Sequence, residues 1–280
     1  MLCGYVIIKN GVCQNIQFDP RTWHTLWDGW GPTMFKTIVD KSIENPEKTY
    51  AFVKSDCIHD VDVTPEMIDS DTIFITPCID SHVWPKQLHL LYSPLEINYT
   101  KTIEPHRGEK IPRIIWRGAK TNSEKWEGTD GPRGIIMKLL ENDDRCDIGY
   151  TRIKGFVTSE CAPTMSIEDQ QKYTGILCID GSGFANILGW VLGSGSVPIV
   201  YSRYKMGFQY DLEPWVHYVP ISEDFSDLII NINWVFENPE KCNNIIENAL
   251  KFYKTKLKPD YVKGKELMTN STINDSSGRL

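Results

Sequence analysis

Residues 172–202 read "KYTGILCIDGSGFANILGWVLGSGSVPIVYS", and no other stretch limits the fold as strongly. Two runs within it, "TGILCI" and "SVPIVY", are apolar at consecutive positions instead of alternate ones. A strand with apolar side chains on both sides belongs inside a sheet covered on both faces, the usual setting of parallel strands. Between the runs, "DGSG" supplies a small-residue turn and "ANILGWVLG" a helical segment. The reading is strand, turn, helix, strand. Parallel neighbours need a crossover of this kind.

The surrounding sequence extends the pattern. "RIIW" (113–116) reads as a strand leading through a polar loop to the helix "GIIMKLLEN". After residue 202, "WVHYVPI" reads as a strand, followed by the helical segments "EDFSDLIININWVFEN" and "PEKCNNIIENALKFYKTKL". In the last segment Asn238 is placed to cap, with Pro239 at the first helical position. Strands alternating with helices imply an α/β domain built on a parallel sheet. The first part carries shorter β-like runs, "GYVIIKNGV", "TYAFVK", "TIFITP" and "LHLLYS". Among them "TMFKTIVDKSI" (33–43) sets Met34, Phe35, Ile38, Val39 and Ile43 at helical spacing. The polar stretch 98–112, with Pro105, Gly108 and Pro112, reads as an interdomain linker. The expected organisation is an N-terminal domain over 1–110, a C-terminal domain over 111–262, and a polar tail over 263–280.

Composition narrows the partners. A net charge of −7 disfavours nucleic acid, which selects basic surfaces. No apolar run reaches the ~18 residues of a membrane span. The start, "MLCGYVIIKNGVCQN", lacks a basic n-region and reads as a first strand. A cytoplasmic location is the default expectation. The eight cysteines include no C-x-x-C pair, so reduced, mostly buried thiols are expected and a zinc site is not. The sequons "NYT" and "NST" read as chance matches.

At the carboxyl end of a parallel strand, "DGSG" suits an anion such as a diphosphate. The following helix points free N–H groups and its positive dipole end into the crevice. Gly181 and Gly183 let the backbone turn sharply. A plain turn needing glycine for its shape explains the four residues equally well. The pattern is not G-x-G-x-x-G, so a nicotinamide fingerprint is absent.

Taken in order, "IIWRGAKT", "KYTGILCIDGSGFANILGWVLGSGSVPIVYS" and "LEPWVHYVPISEDFSDL" resemble glycosyltransferase family 90: the Rumi-like protein O-glucosyltransferases, the KDEL-motif relatives and the fungal capsule-associated xylosyltransferases. The resemblance is dense over 113–255 and thin before that. It implies a GT-B fold, two Rossmann-like domains facing a cleft. It further implies inverting transfer of glucose or xylose from a UDP-sugar to a glycan or protein hydroxyl, with no metal and no other cofactor. Protein donors must then neutralise the leaving diphosphate.

On that reading Arg117, Gly118, Arg133 and the turn Asp180, Gly181, Ser182, Gly183 and Phe184 hold the UDP-sugar. Lys125 is the fallback cation if the register differs. The family places its general base after a short N-terminal strand, and "YAFVKSD" offers Asp56, with Asp60, Asp62 and Asp80 as rivals. His82 and Trp84 are candidates for the acceptor side. For Ser194, Gly195 and Ser196, tight packing is as good an account as ligand contact. His217 reads as a core histidine, and the acids and serines of "SEDFSDL" as helix caps.

The chain departs from the family it resembles at three positions. Ala185 and Ile187 stand where relatives carry a serine and an arginine, and Met206 where many carry a glutamate. These departures favour an alternative reading, a catalytically impaired fold acting as a sugar- or protein-binding module. An unrelated doubly wound nucleotide-binding enzyme is a more distant rival.

Overall fold

The computed structural model describes residues 4–14, 39–40, 42–54, 73–75, 79–80, 103–121, 130–153, 155–181 and 183–259. The chain divides into two compact units. One comprises Met1–Asn98, Lys205–Gly207 and Asp260–Leu280, and the other Tyr99–Tyr204 and Phe208–Pro259.

In the first unit, β1 (Gly4–Lys9) pairs antiparallel with β2 (Val12–Gln14) and with β3 (Thr49–Lys54), and β3 pairs parallel with β4 (Ile73–Ile75). The run "GYVIIKNGV" is therefore a hairpin and not one strand. Asn10 and Gly11 both take positive φ, 47° and 73°, as a two-residue loop of type I′ requires. The Ser42 hydroxyl accepts the Gly11 N–H at 2.8 Å and donates to the Val39 carbonyl, which anchors the loop. Of the helix expected over 33–43, the described residues 39–40 and 42–43 are helical. The short strand β5 (Ile79–Asp80) follows.

The second unit is built on five parallel strands: β6 (Ile111–Lys120), β7 (Cys146–Ile153), β8 (Tyr173–Ile179), β9 (Val197–Tyr201) and β11 (Val219–Pro220). A two-residue strand β10 (Tyr204–Lys205) lies outside this sheet. The order β7-β6-β8-β9-β11 is the doubly wound order 2-1-3-4-5, so the winding reverses between β6 and β8. The helices are α1 (Gly131–Leu139), α2 (Ile167–Gln170), α3 (Leu188–Val191), α4 (Leu228–Glu237) and α5 (Pro239–Phe252). One face of the sheet presents Ile114, Trp116, Leu177, Ile179, Val197, Ile199 and Tyr201. These pack with Ile136 and Leu140 after them from α1 and its end, Leu228, Ile232 and Val235 of α4, and Cys242 and Ile245 of α5. Each large side chain so buried contributes about 1.5–3 kcal/mol relative to exposure.

Several elements differ from the sequence reading. β6 runs for ten residues, well beyond "RIIW". β7 was not anticipated: "CDIGYTRI" holds an aspartate, a glycine and an arginine and lacks the continuous apolar run of an inner strand. It lies at the sheet edge, where β6 is its one partner. The strand expected in "WVHYVPI" shrinks to Val219–Pro220. Asn238 does not cap α5 with its side chain; its amide and backbone N–H both donate to the Trp234 carbonyl and close α4.

The segment expected as a linker is tied to the second unit at Ile103, His106 and Lys110, with exposed residues between them. Ile103 N–H donates to the Tyr253 hydroxyl, and His106 N–H to the Ser194 carbonyl. The Lys110 ammonium donates to the Gln171 carbonyl at 2.6 Å and the Ser196 hydroxyl at 3.1 Å. Gly195, at φ 76°, faces this strap so closely that a Cβ would stand 2.9 Å from the His106 carbonyl oxygen. Ser194 and Ser196 spend their hydroxyls on Val191, Gln171 and Tyr173 carbonyls. Packing accounts for all three residues.

Candidate functional site

Open α/β sheets bind ligands outside the carboxyl ends of their strands, at the point where the winding reverses. Here that point lies between the ends of β6 and β8, and Arg133 occupies it. Arg133 is the third residue of α1, and its guanidinium joins the two strand ends. Nη1 donates to the Ala119 carbonyl at 2.8 Å and to the Thr121 hydroxyl at 2.7 Å. Nε and Nη2 donate to the Ile179 carbonyl at 3.3 and 3.2 Å. Of its five N–H groups, one on Nη2 is left without an acceptor among the described residues. Below it lies the Trp116 indole, 5.6 Å from Cζ, and Tyr150 of β7 meets that indole edge-on. Burial lowers the Arg133 pKa, against the attraction of Asp180 and Tyr150, yet an arginine stays charged.

Gly181 has a steric reason to be glycine. A Cβ there would fall 2.5 Å from Thr121 Oγ1 and 2.7 Å from Arg133 Cζ. The turn and the guanidinium are thus in direct contact. Asp180 lies beneath, fully buried. Its Oδ1 accepts the Ala185 N–H at 2.9 Å, and its Oδ2 accepts those of Arg203 and Tyr204 at 2.7 and 2.9 Å. Burial pushes the carboxyl up to about 7, opposed by these three bonds and by Arg133. Asp180 was expected to face the nucleotide. Its carboxylate instead points inward and ties the turn to the chain after β9.

The dipole argument for this turn also changes. Residues 184–187 separate the turn from α3, which is four residues long and capped by no side chain. Gly181 N–H donates to the Gly183 carbonyl, so part of the turn's donor capacity is used internally. Phe184 is half-buried and Gly183 buried. A side chain, not a helix end, supplies the positive charge.

Arg117 and Gly118 have different surroundings. Strand alternation puts Arg117 on the face opposite Trp116 and Arg133. Its guanidinium donates to the Pro163, Trp116 and Asp147 carbonyls and pairs with Asp147 Oδ1 at 2.6 Å. Tyr173 donates to the other carboxylate oxygen at 2.6 Å. Burial raises the Asp147 pKa, but bonds from Tyr173 and Arg117 outweigh it and hold the carboxyl below its usual value. The sheet thus separates the two expected diphosphate cations. Gly118 serves packing: a Cβ there would lie 2.5 Å from the Trp116 ring.

Lys125, Ser182, Asp56, Asp60, Asp62, His82 and Trp84 lie outside the described residues. Asp80 ends β5, and only its backbone is described. His217 is half-buried, accepts the Glu213 N–H on Nδ1 at 3.0 Å and meets Phe252 edge-on. In "SEDFSDL" the serines and acids bond one another: Asp227 accepts from Ser222, and Asp224 from Ser222 and Ser226. None of these side chains caps α4.

Sequence reasoning missed Thr121, Trp116 and Tyr150. Thr121 carried a signal, a polar residue closing "RGAKT" after a strand. Tyr150 carried none, because its strand went unrecognised. Its hydroxyl is buried and has no hydrogen-bond partner among the described residues, at the same sheet end as Arg133. Burial and Asp130 raise its pKa, so it remains a neutral donor. Among the described residues no cluster of three or more potential metal ligands occurs.

The family model described as glycosyl transferase family 90 matches residues 99–268. Uncharacterized protein 179R of Invertebrate iridescent virus 6 is 40% identical over 246 residues, covering 72% of this chain and 21% of its own length. Protein O-glucosyltransferase 2 of Danio rerio is 29% identical over 171 residues, 58% of this chain and 33% of its own. O-glucosyltransferase LpsA of Dichelobacter nodosus is 27% identical over 160 residues, 56% and 47%. The chain therefore spans less than half the length of each of these three relatives.

Proposed function

Because this chain belongs to glycosyl transferase family 90, we propose that it transfers glucose or xylose from a UDP-sugar to a hydroxyl of a glycan or protein, with inversion. The two units would form a GT-B pair, with the donor on the second and the acceptor approaching from the first. The observation that carries this reading is the Arg133 guanidinium, fixed between the ends of β6 and β8 with one N–H to spare. A diphosphate would take that N–H and the charge behind it. Such a charge-assisted bond is worth roughly 1.5–3 kcal/mol and strengthens as negative charge builds on the leaving group.

Inversion needs a base on the acceptor side to take the hydroxyl proton as the anomeric carbon is attacked. Asp56 is the proposed base, with Asp60, Asp62 and Asp80 as its competitors. The pocket side is proposed to work without metal, protein donors bearing the diphosphate charge. UDP is expected to raise the melting temperature, since it binds the folded state alone. Arg133→Lys keeps the charge and loses the fork, and Arg133→Gln loses both. Arg133→Gln should weaken UDP roughly 10- to 100-fold. If no uridine nucleotide stabilises the chain at millimolar concentration, the reading fails. If UDP binds but no sugar is transferred, the chain is a binding module.

A further inference from the structure

Trp215 has the wrong backbone for its side chain. Its φ is 64°, in the left-handed region that bulky residues avoid, and its side chain belongs to a residue 44% exposed. The loop around it is held by its own bonds. Trp215 N–H donates to the Tyr218 carbonyl at 2.7 Å, His217 N–H to the Glu213 carbonyl, and Asn248 Nδ2 to the Val216 carbonyl. Strain that persists because its surroundings enforce it points to a functional position. The indole meets Trp234 and still leaves 44% of the residue exposed.

This indole forms one wall of a groove of about 540 Å³ lined by Trp215, Trp234, Lys241 and Asn244. The two rings stand 4.9 Å apart at 73°, so one offers a face where the other offers an edge. The Lys241 ammonium lies 5.9 Å from the centre of the Trp234 ring. Neither the Lys241 nor the Asn244 side chain donates a hydrogen bond to another described residue. An exposed indole beside an ammonium and an amide whose hydrogen-bond donors meet no other described residue matches a pyranose, which pairs a C–H face with a rim of hydroxyls.

The groove is not part of the Arg133 centre. Trp215 precedes β11, and Trp234 lies near the C-terminal end of α4, which starts beyond the carboxyl end of that strand. Arg145, immediately before β7, donates to Asn233 at 2.8 Å, which puts this end of α4 at the amino-terminal edge of the sheet. Arg133 lies at the opposite edge.

We propose that the Trp215–Trp234 groove is a carbohydrate-binding site, separate from the Arg133 centre, in which a pyranose ring of a glycan chain stacks on the exposed Trp215 indole. The test is saturation-transfer NMR on the whole chain with oligosaccharides of glucose, xylose, galactose, mannose and N-acetylglucosamine, each at about 10 mM, a ceiling that admits millimolar dissociation constants. Transfer to ring C–H protons of at least one is expected. Trp215→Gly should weaken it at least about tenfold while the chain stays folded, because glycine takes this φ freely and so offsets the lost ring contact with Trp234. Lys241→Ala with Asn244→Ala, both on the exposed surface, should weaken it several-fold without touching the fold. The UDP-induced melting shift should be unchanged in all of these variants. Silence across the panel overturns the proposal, as does binding that survives both the Trp215 and the Lys241/Asn244 changes. So does a concentration-dependent self-association abolished by Trp215→Gly, which would make the groove a contact between copies of the chain.

Discussion

Gly181 and Arg133 constrain each other at the scale of single residues. A methyl group on Gly181 would have to displace a guanidinium held by four hydrogen bonds, so neither partner yields cheaply. Gly181→Ala is therefore expected to cost about 1–3 kcal/mol of stability, as overpacking does, and to weaken UDP together with the fold. Chemical denaturation alongside UDP titration checks both. Asp180, the neighbour, makes a pH prediction. Burial raises its carboxyl to about 7, so the stability this group contributes is full below the ordinary aspartate value of about 4 and is lost as pH rises through 7. The melting-temperature difference between the native chain and Asp180→Asn should accordingly move against the native chain between about pH 4.5 and about pH 8. A flat difference would mean that the three backbone N–H bonds keep the carboxylate ionised throughout.

Among elements, the outcome depended on how each strand meets its neighbours. β8 and β9 announced themselves in the sequence because both faces are covered, which demands continuous apolar residues. β7 did not, because its polar face is satisfied by partners far along the chain. Asp147 is made tolerable by Arg117, thirty positions earlier, and by Tyr173, twenty-six later. Local pattern holds no record of such a pairing. The same fact misdirected the reading of Arg117, whose place after an apolar strand suited phosphate and whose actual partner could not be seen. The length of α3 was equally illegible: "ANILGWVLG" has helical spacing, but the Asp180 bond to Ala185 N–H keeps the preceding residues in a turn. The place of Arg133 at a helix start after a strand was legible as a local feature, while its expected role came from the family resemblance. A consequence separates the two arginines experimentally. Arg117→Met leaves Asp147 half-buried without its cation and should cost about 2–4 kcal/mol, while UDP affinity per folded molecule stays near normal. A loss of UDP affinity without a loss of stability would return Arg117 to the site.

For the whole molecule, the matched region and the second compact unit nearly coincide, 99–268 against Tyr99–Tyr204 with Phe208–Pro259. The family relationship therefore rests mainly on the unit whose sheet carries Arg133. If the proposed chemistry holds, turnover should survive EDTA; loss on chelation with recovery in manganese would contradict a metal-free site. The folded core also carries its own clock. Cys146, Cys178 and Cys242 are buried and unpaired, and burial pushes the thiols of Cys146 and Cys242 up to about 12 and about 11 and that of Cys178 up as well. A thiol that is both inaccessible and protonated does not react with an alkylating reagent while the structure is closed. All three line the same sheet and its helices, in β7, β8 and α5. Mass-spectrometric labelling of these three cysteines should then proceed at one common rate, set by how often the second unit opens, and bound UDP should slow all three together.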